Sequence, residues 1–310
     1  MKFAIMGVCM AVESIPSAPQ RENGLLRRLR RSERFQLGAL LFPGLFWLIL
    51  FFAVPLVVIV VYSFMTSGKT GSPEFPFTLA SYITLFTKDL YVNAYLRSIW
   101  IAIVATVVCL LIGYPLALYV VQRTPRWRSV LLFLILIPFW TNFLVRTYAW
   151  MIILNNNGLL NSLIQAFGLP RQSLFPSTGA VLMGLIYGEL PFMVLPIYAS
   201  LDRFDFTLLE AASDLGASRT RAFLRVMLPL TMPGVAAGSV LVFIPTVGQF
   251  VVSDLLGGAK VDMLGNLMER LFRRQNPPDW PLGSAMALVF MLVLTVLVIF
   301  YFRVTTEEDR

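Results

Sequence analysis

The sequence contains no histidine and only two cysteines, Cys9 and Cys109. The lack of histidine excludes histidine-ligated metal sites, histidine general bases and Ser-His-Asp triads. Two cysteines, one near the N-terminus and one inside an apolar segment, argue against a disulfide framework. The phosphate-binding pattern GxxxxGK[ST] is also missing, so any nucleotide would have to bind to another chain. We therefore predict that the chain is not an enzyme and binds no metal or cofactor of its own.

Charged residues are also scarce: only 14% of the residues are charged, whereas 57% are hydrophobic and the mean hydropathy is +0.75. Soluble domains are about 45–50% apolar and about 25% charged. A water-soluble fold of 310 residues could not bury this much apolar surface, so the bilayer is the expected solvent. The net charge of +8 does not indicate nucleic-acid binding, because basic residues of membrane proteins collect in cytoplasmic loops.

Six segments are apolar over the roughly 20 residues that a helix needs to cross the hydrocarbon core. They predict an all-α membrane protein with six transmembrane helices in a domain at 37–303, between terminal tails at 1–36 and 304–310. The fifth segment is marginal in hydropathy and contains Pro245 and Gly248, which predict a kinked helix packed against protein. The predicted spans are 38–65, 95–121, 129–154, 177–200, 232–252 and 284–302, with external loops at 66–94 and 253–283 that are apolar enough to fold back on the bundle.

The distribution of Lys and Arg predicts the orientation. Placing both termini in the cytoplasm puts 16 of the 25 basic residues on that side, which agrees with the positive-inside rule. This bias depends mainly on the N-terminal tail and on the turn at Arg123–Arg128. Residues 1–36 are expected to be a poorly ordered tail rather than a cleaved signal peptide, because cleavage would require the Arg27–Arg34 cluster to cross the membrane.

The longest predicted cytoplasmic loop, residues 201–231, has the pattern of two short helices joined by a glycine. Thr207 and Glu210 match an S/T-x-x-E capping box, which predicts a helix that is capped by Thr207. Gly216 is placed to end this helix in a left-handed conformation, and Ser218 is placed to cap the next one. The second helix is expected to run through Phe223, Val226 and Met227 and to stop before Pro229.

The first of these helices carries an apolar face. Leu208, Ala212 and Leu215 fall at i, i+4 and i+7. An exposed apolar face needs a partner to cover it, and the small side chains of Ala211 and Ala212 permit close approach. The alternative interpretation is that Glu210 is only a capping residue and that the loop is an ordinary connection.

The 201–231 loop also carries a family resemblance. The stretch Glu210-Ala-Ala-Ser-Asp-Leu-Gly216-Ala217, followed by Phe223 and Leu228-Pro229, resembles the cytoplasmic "EAA" loop of the membrane subunits of ABC importers. Further stretches resemble the spermidine/putrescine-type permeases of that class, so the similarity covers roughly residues 36–303. These stretches are Ile137–Trp150, Leu190–Tyr198, Val251–Lys260 and Asp279–Ser284.

The resemblance implies a type I importer in a bacterial inner membrane. This chain and a homologous second permease would form the path for polyamines, and a soluble substrate-binding protein would deliver them. Two ATPase subunits, which bind ATP and Mg, would dock on the EAA loop. The residues that the resemblance assigns to this docking are Glu210, Ala211, Ala212, Gly216, Ala217, Phe223, Leu228 and Pro229.

The ionisable residues Glu189 and Arg146 lie well inside predicted spans, where charge is costly and therefore a candidate for function. One interpretation is structural: they pair with each other or with backbone carbonyls. The other makes Glu189 a counter-ion for a polyammonium substrate, with Asp254 near the outer mouth as a second one. Four aromatic residues are candidates for cation–π contacts with such a substrate, or alternatively face lipid as an interfacial belt: Trp140, Tyr148, Trp150 and Phe250.

Other functions remain open at this point. The same architecture could import another amine, an amino-acid derivative or an opine-like solute. An ion-coupled secondary transporter or channel is a different class, but six spans are few for a secondary transporter and the EAA-like loop would then be unexplained. A membrane-embedded enzyme is disfavoured because no constellation for acid–base or metal catalysis is visible.

Overall fold

The computed structural model describes residues 33–307. The predictions for the terminal tails therefore lie mostly outside the described residues. The chain divides into two compact units between Val57 and Val58. The first unit is described from Glu33 onward and is helical, and the second unit contains the remaining elements.

Helices make up nearly all of the second unit, and its sheet is a single antiparallel hairpin in which Ser67 pairs with Pro73. Short π-helical turns at Ile49–Ala53, Phe223–Met227, Ser253–Gly257 and Arg270–Arg274 join or extend several helices, and a 3-10 turn follows at Gly258–Lys260. In chain order the regular elements are α1 (Glu33–Leu48), α2 (Val54–Ser63), β1 (Met65–Ser67), β2 (Pro73–Phe77), α3 (Ala80–Thr87), α4 (Asp89–Val121), α5 (Pro125–Trp140), α6 (Phe143–Leu154), α7 (Leu159–Ala166), α8 (Thr178–Asp202), α9 (Thr207–Asp214), α10 (Arg219–Ala222), α11 (Leu228–Leu230), α12 (Met232–Gly248), α13 (Leu264–Glu269) and α14 (Trp280–Glu307).

Within residues 33–307, four helical stretches are long and apolar enough to cross a membrane, and two bent helix pairs raise the number to as many as six. These spans occupy the six positions that the hydropathy pattern predicts. The boundaries differ at the ends: α4 begins at Asp89 rather than at residue 95, and α14 extends to Glu307, into the segment predicted to be a tail. The four unbroken spans are Leu40–Ser63, Asp89–Val121, Thr178–Asp202 and Trp280–Ile299.

The third span is a broken helix, whereas the sequence predicts a continuous one over 129–154. α5 ends at Trp140, and the helical stretch from Phe143 to Ala166 leaves it at 89°. Asn142 caps the new helix: its Oδ1 accepts hydrogen bonds from the backbone N–H of Leu144 (2.9 Å) and of Val145 (3.5 Å). A hydropathy profile does not detect this break because the residues on both sides of the cap are apolar.

The fifth span also differs from its prediction. α12 continues past Pro245 without a break and ends at Gly248, four residues before the predicted end. The bend lies at its other end, at Thr231, where Arg219–Leu230 and Met232–Gly248 meet at 68°. A proline has no N–H to donate, so it leaves one helix carbonyl without its partner. This is tolerated in a buried helix where neighbouring helices satisfy that carbonyl.

The centre of the bundle is formed by α4, α8 and α12, which approach one another closely at small residues. A Cβ atom at Gly238 of α12 would lie 2.9 Å from Met193 Sδ and 3.0 Å from the Met193 carbonyl oxygen on α8. A Cβ atom at Gly113 of α4 would lie 3.0 Å from Met193 Cγ. Small residues at such crossings allow the backbone contact that drives helix association in lipid. The buried residues around this contact are Cys109, Tyr114, Ala117, Val121, Val194, Ile197, Leu201, Met227, Val235 and Val242.

The segment 253–283 folds back on the bundle through buried polar contacts. Ser98 Oγ of α4 accepts a hydrogen bond from the backbone N–H of Leu264 (2.7 Å). The side chain of Asn266 donates to the Phe250 carbonyl (3.1 Å) and accepts from the Met263 N–H (3.1 Å). These bonds attach the segment around α13 to the ends of α4 and α12.

We expect Gly238→Leu to destabilise the bundle by about 1–3 kcal/mol or more, because the new side chain would overlap Met193. Ala237→Leu is the matched control, since Ala237 is the neighbouring residue on the same helix and is exposed. Thermal unfolding of the purified proteins in detergent measures the difference. Equal melting temperatures for the two variants would contradict the close packing of α8 and α12.

Candidate functional site

The 201–231 loop contains the predicted pair of short helices, but the first helix is capped by a different residue. Asp205 Oδ1 accepts hydrogen bonds from the backbone N–H (3.0 Å) and the hydroxyl (2.8 Å) of Thr207. These two bonds, the backbone one first, lower the pKa of the Asp205 carboxyl. In this described part of the chain the Thr207–Glu210 capping box is not formed. The prediction was wrong because Asp is as good a capping residue as Thr and stands two positions earlier.

The end of α9 is formed by Gly216, as predicted. Its φ of +83° lies in the left-handed region, and its N–H donates to the Ser213 carbonyl (2.9 Å). The N–H of Ala217 donates to the Ala212 carbonyl (3.0 Å). This pair of bonds is the Schellman motif, which satisfies carbonyls at a helix C-terminus. Gly216 therefore fixes the sharp turn between the two helices.

The two faces of α9 differ in their surroundings. Leu209 packs against the buried cluster at the centre of the bundle. Leu208, Glu210 and Ala211 are exposed, and Leu215, directly after the helix, is 90% exposed. Of the predicted apolar face, Leu208 and Leu215 therefore point away from the bundle and are available to a partner, whereas Ala212 is half-buried.

The second helix begins as predicted, with Ser218 Oγ accepting a hydrogen bond from the Arg221 N–H (3.4 Å). It does not stop before Pro229, however. A π-helical turn at Phe223–Met227 carries it through Pro229 to Leu230. Pro229 has no N–H to donate, and the wider π-helical turn gives the neighbouring N–H groups different carbonyl partners. The helix therefore continues where a regular α-helix would end.

This second helix is attached to the membrane helices by side-chain contacts. The Phe223 ring packs edge-on against Tyr114 of α4, with 5.4 Å between the ring centres. The Tyr114 hydroxyl shares a 2.9 Å hydrogen bond with Thr231 Oγ1 at the bend before α12. Leu228 also packs against the central cluster. The loop thus has an exposed half at Glu210 and Ala211 and a half that is anchored in the bundle.

A second candidate site is a cavity of about 300 Å³ at the break in the third span, which we call the intramembrane cavity. Arg146 and Glu189 both contribute to its wall. Glu189 is 13 residues before the end of α8, so the cavity lies roughly 20 Å from the 201–231 loop. The lining residues are Phe139, Thr141, Phe143, Arg146, Gly184, Leu185, Gly188, Glu189, Phe192, Gln249 and Val252.

Arg146 is held by the broken helix and does not pair with Glu189. Its Nη1 donates to the carbonyl oxygen of Pro138 (3.0 Å), which also accepts from the Thr141 hydroxyl (2.7 Å). The guanidinium carbon lies 5.7 Å from the ring centre of Phe143 and 5.9 Å from that of Tyr187. A cation is favoured at this place because the C-terminal end of a helix carries partial negative charge. Of the two structural roles predicted for Arg146, the contact with a backbone carbonyl is the one present.

One carboxylate oxygen of Glu189 has no partner in the described part of the chain. This atom, Oε2, is buried and makes no hydrogen bond within residues 33–307. Buried carboxylate oxygens are normally hydrogen-bonded, so an unpaired one beside a cavity requires an explanation.

The remaining path candidates do not line this cavity. Asp254 is paired with Arg274, whose Nη2 lies 3.0 Å from Asp254 Oδ2. This pairing raises the pKa of Arg274. Trp150 packs edge-on against Tyr187, next to Arg146, with 5.6 Å between the two ring centres. Trp140 is 74% exposed, and Tyr148 and Phe250 are also exposed.

Sequence reasoning missed several wall residues of the cavity. Phe139, Phe143 and Phe192 lie inside the stretches that carry the family resemblance, so a signal for them was present. Gln249 was missed although it is a polar residue at the end of an apolar segment. Within residues 33–307, no group of three or more His, Cys, Asp or Glu side chains is placed to hold a metal ion.

The spans and the 201–231 loop together define the transmembrane fold of a type I ABC importer. A family model described as "binding-protein-dependent transport system inner membrane component" matches residues 109–306, which is more than half of the chain. The chain belongs to this family and is therefore a transport component of an inner membrane.

Two curated relatives are similar over most of their length. The chain is 40% identical over 266 residues to the spermidine/putrescine transport system permease protein PotB of Haemophilus influenzae, which covers 85% of this chain and 92% of that protein. It is 41% identical over 260 residues to PotB of Escherichia coli, which covers 83% of this chain and 93% of that protein.

Two solved structures share the fold. A chain of a bacterial ABC transporter involved in alginate import superposes with a TM-score of 0.75 at 18% identity, over 93% of this chain and 100% of that chain. A chain of the MetNI methionine ABC transporter in inward-facing conformations gives a TM-score of 0.53 at 17% identity, over 71% of this chain and 96% of that chain.

Because Gly216 has a positive φ, we expect Gly216→Ala to cost about 1–2 kcal/mol in the local stability of the loop. Gly216→Asn should cost less, since asparagine tolerates the left-handed region. Amide hydrogen exchange of residues 207–217 measures the difference, with the alanine variant exchanging faster.

Gly168→Ala is the matched control, because Gly168 has a similar φ of +76° and equally open surroundings. Its effect should be confined to the end of α7. Unchanged exchange at 207–217 in Gly216→Ala would contradict the role assigned to this glycine.

Proposed function

We propose that this chain is the membrane-spanning permease subunit of an ATP-driven importer for polyamines such as spermidine and putrescine. The observation that carries the proposal is its 40–41% identity to the two PotB proteins over more than four fifths of the chain. Similarity of this extent includes the stretches around the intramembrane cavity and the 201–231 loop. The chain contributes no ATP chemistry itself, because ATP and Mg are bound by separate subunits.

The complete importer contains a homologous second permease, two ATPase subunits and a soluble substrate-binding protein. The absence of GxxxxGK[ST] from the sequence supports placing the nucleotide on other chains. One structural neighbour, a bacterial alginate ABC transporter with a TM-score of 0.68, was solved in complex with an alginate pentasaccharide-bound periplasmic protein. This neighbour supports a partnership of the same kind here.

Both termini and the 201–231 loop face the cytoplasm in this proposal. The excess of Lys and Arg on that side supports it. The structure adds that Arg128, in the basic turn before α5, donates a 2.7 Å hydrogen bond to Asp202 at the end of α8. The basic turn and the loop are therefore at the same end of the bundle, and the positive-inside rule applies to both together.

The exposed half of the loop is the ATPase-docking surface in this proposal, and its anchored half transmits movement to the spans. Glu210 and Ala211 are free to contact a partner, whereas Phe223 and Leu228 pack against the central helices. A displacement of the docking half is passed to α4 through Tyr114 and to α12 through Thr231. Binding of ATP to the partner must favour one of two arrangements of these helices, which is the requirement for a nucleotide-driven switch.

In this proposal, individual residues are assigned to the substrate path. Glu189 and Arg146 are assigned to it because they line the intramembrane cavity. Asp254 is assigned to its outer end, where its pairing with Arg274 makes it less available to a cation. The aromatic candidates outside the cavity are Trp140, Tyr148, Trp150 and Phe250.

We expect Glu210→Ala to reduce uptake of labelled spermidine about 10-fold or more, because a charged group at a docking surface contributes about 1.5–3 kcal/mol. The assay uses cells that lack the gene and carry either the intact chain or a variant. Asp89→Ala is the matched control: it removes an exposed carboxylate at the opposite end of the bundle. Immunoblots of the membrane fraction confirm equal insertion.

The outcomes separate the parts of the proposal. Normal uptake with Glu210→Ala would remove the docking role of the loop. If the inserted, intact chain restores neither spermidine nor putrescine uptake, the polyamine assignment fails and the importer architecture remains.

A further inference from the structure

The intramembrane cavity contains an acceptor that the protein itself does not satisfy. Glu189 Oε2 is buried and unpaired within the described residues. The cation closest in the cavity wall, Arg146, is bound instead to the Pro138 carbonyl and lies beside the rings of Phe143 and Tyr187. The four ion pairs formed by described residues do not include Glu189.

The break in the third span explains why Arg146 is hydrogen-bonded to the Pro138 carbonyl and not to Glu189. A continuous helix would use the Pro138 carbonyl in its own hydrogen-bond ladder. Because α5 ends at Trp140, this carbonyl is free to accept from Arg146. The broken helix thus holds the arginine and leaves the carboxylate of Glu189 available.

The remaining wall suits an alkylammonium group. The rings of Phe139 and Phe192 pack edge-to-face with 5.2 Å between their centres, and Phe143 contributes a third ring to the wall. Aromatic faces attract cations and also cover methylene groups. A volume of about 300 Å³ is at the lower end of ligand pockets, and it is bordered by the Gln249 side chain as a further polar group.

We propose that the intramembrane cavity binds one primary alkylammonium group at a time, with Glu189 as its counter-ion and Arg146 as a positioning residue that is hydrogen-bonded to the Pro138 carbonyl. A diamine or polyamine would enter with one end first. The identification of this group with the end of a transported polyamine rests on the proposed function. The cation site itself rests on the geometry of the cavity.

The local charge can be measured without transport. Gln249 is half-exposed and lines the cavity, so Gln249→Cys in a Cys9→Ser background places a thiol there, while the native Cys109 is buried. The rates of modification by 2-aminoethyl and 2-sulfonatoethyl methanethiosulfonate are compared in membranes that contain the complete transporter. The ratio of the cationic to the anionic rate reports the potential in the cavity.

Glu189→Gln should lower this ratio about 10-fold, because a nearby buried charge acts on both reagents with opposite sign. Butylammonium and putrescine should slow the modification when Glu189 is present and lose this effect in Glu189→Gln. Asp89→Asn, which removes an exposed carboxylate at the start of α4, is the matched control and should leave the ratio unchanged. Arg146→Gln should raise the ratio, because it removes the opposite charge from the same wall.

Several results would overturn the assignment. An unchanged ratio in Glu189→Gln would mean that this carboxyl carries no charge in the cavity. Protection by butylammonium that survives Glu189→Gln would place the ammonium elsewhere. A fall in the ratio with Arg146→Gln would point to loss of the cavity's shape rather than of its charge. If the ratio behaves as expected and the intact chain transports no polyamine, the cation site stands and the proposed function fails.

Discussion

A lipid environment offers no water to a free backbone group, and this constraint governs every irregular point of the bundle. At the break in the third span, the freed Pro138 carbonyl is satisfied by Thr141 and Arg146, and the start of the next helix is capped by Asn142. Three polar side chains therefore maintain a right-angled bend inside an apolar segment. The intramembrane cavity exists because this bend opens space beside α8, so the cavity depends on the same three residues.

Close packing of α4, α8 and α12 connects the cavity with the 201–231 loop. α8 carries Glu189 in the middle of the bundle and leads directly into the loop at Asp202. Tyr114 of α4 packs against Phe223 of the loop and shares a hydrogen bond with Thr231, directly before α12. A movement of the loop relative to the bundle therefore cannot leave the three central helices unaffected.

The composition and hydropathy of the sequence predict the membrane class and the positions of the spans, because both depend on the sum of many residues. Gly216 and Ser218 were also correctly predicted, since a left-handed glycine and a serine cap are local features. The cap at Asp205 and the break at Asn142 were missed because each depends on which of several suitable polar residues the tertiary structure selects. The lack of a Glu189–Arg146 pair could not be predicted, since the freed Pro138 carbonyl is visible only once the bend is known.

Met193 lies between Gly113 and Gly238, so at this level one unbranched side chain of α8 contacts both neighbouring helices. A β-branched side chain in the place of Met193 would have fewer rotamers with which to follow a shift of either helix. A thioether chain can instead change rotamer while it remains in contact with the smooth backbone of each glycine. At this point a small shift of α4 or α12 along α8 can therefore be followed by a rotamer change of Met193 rather than by a void.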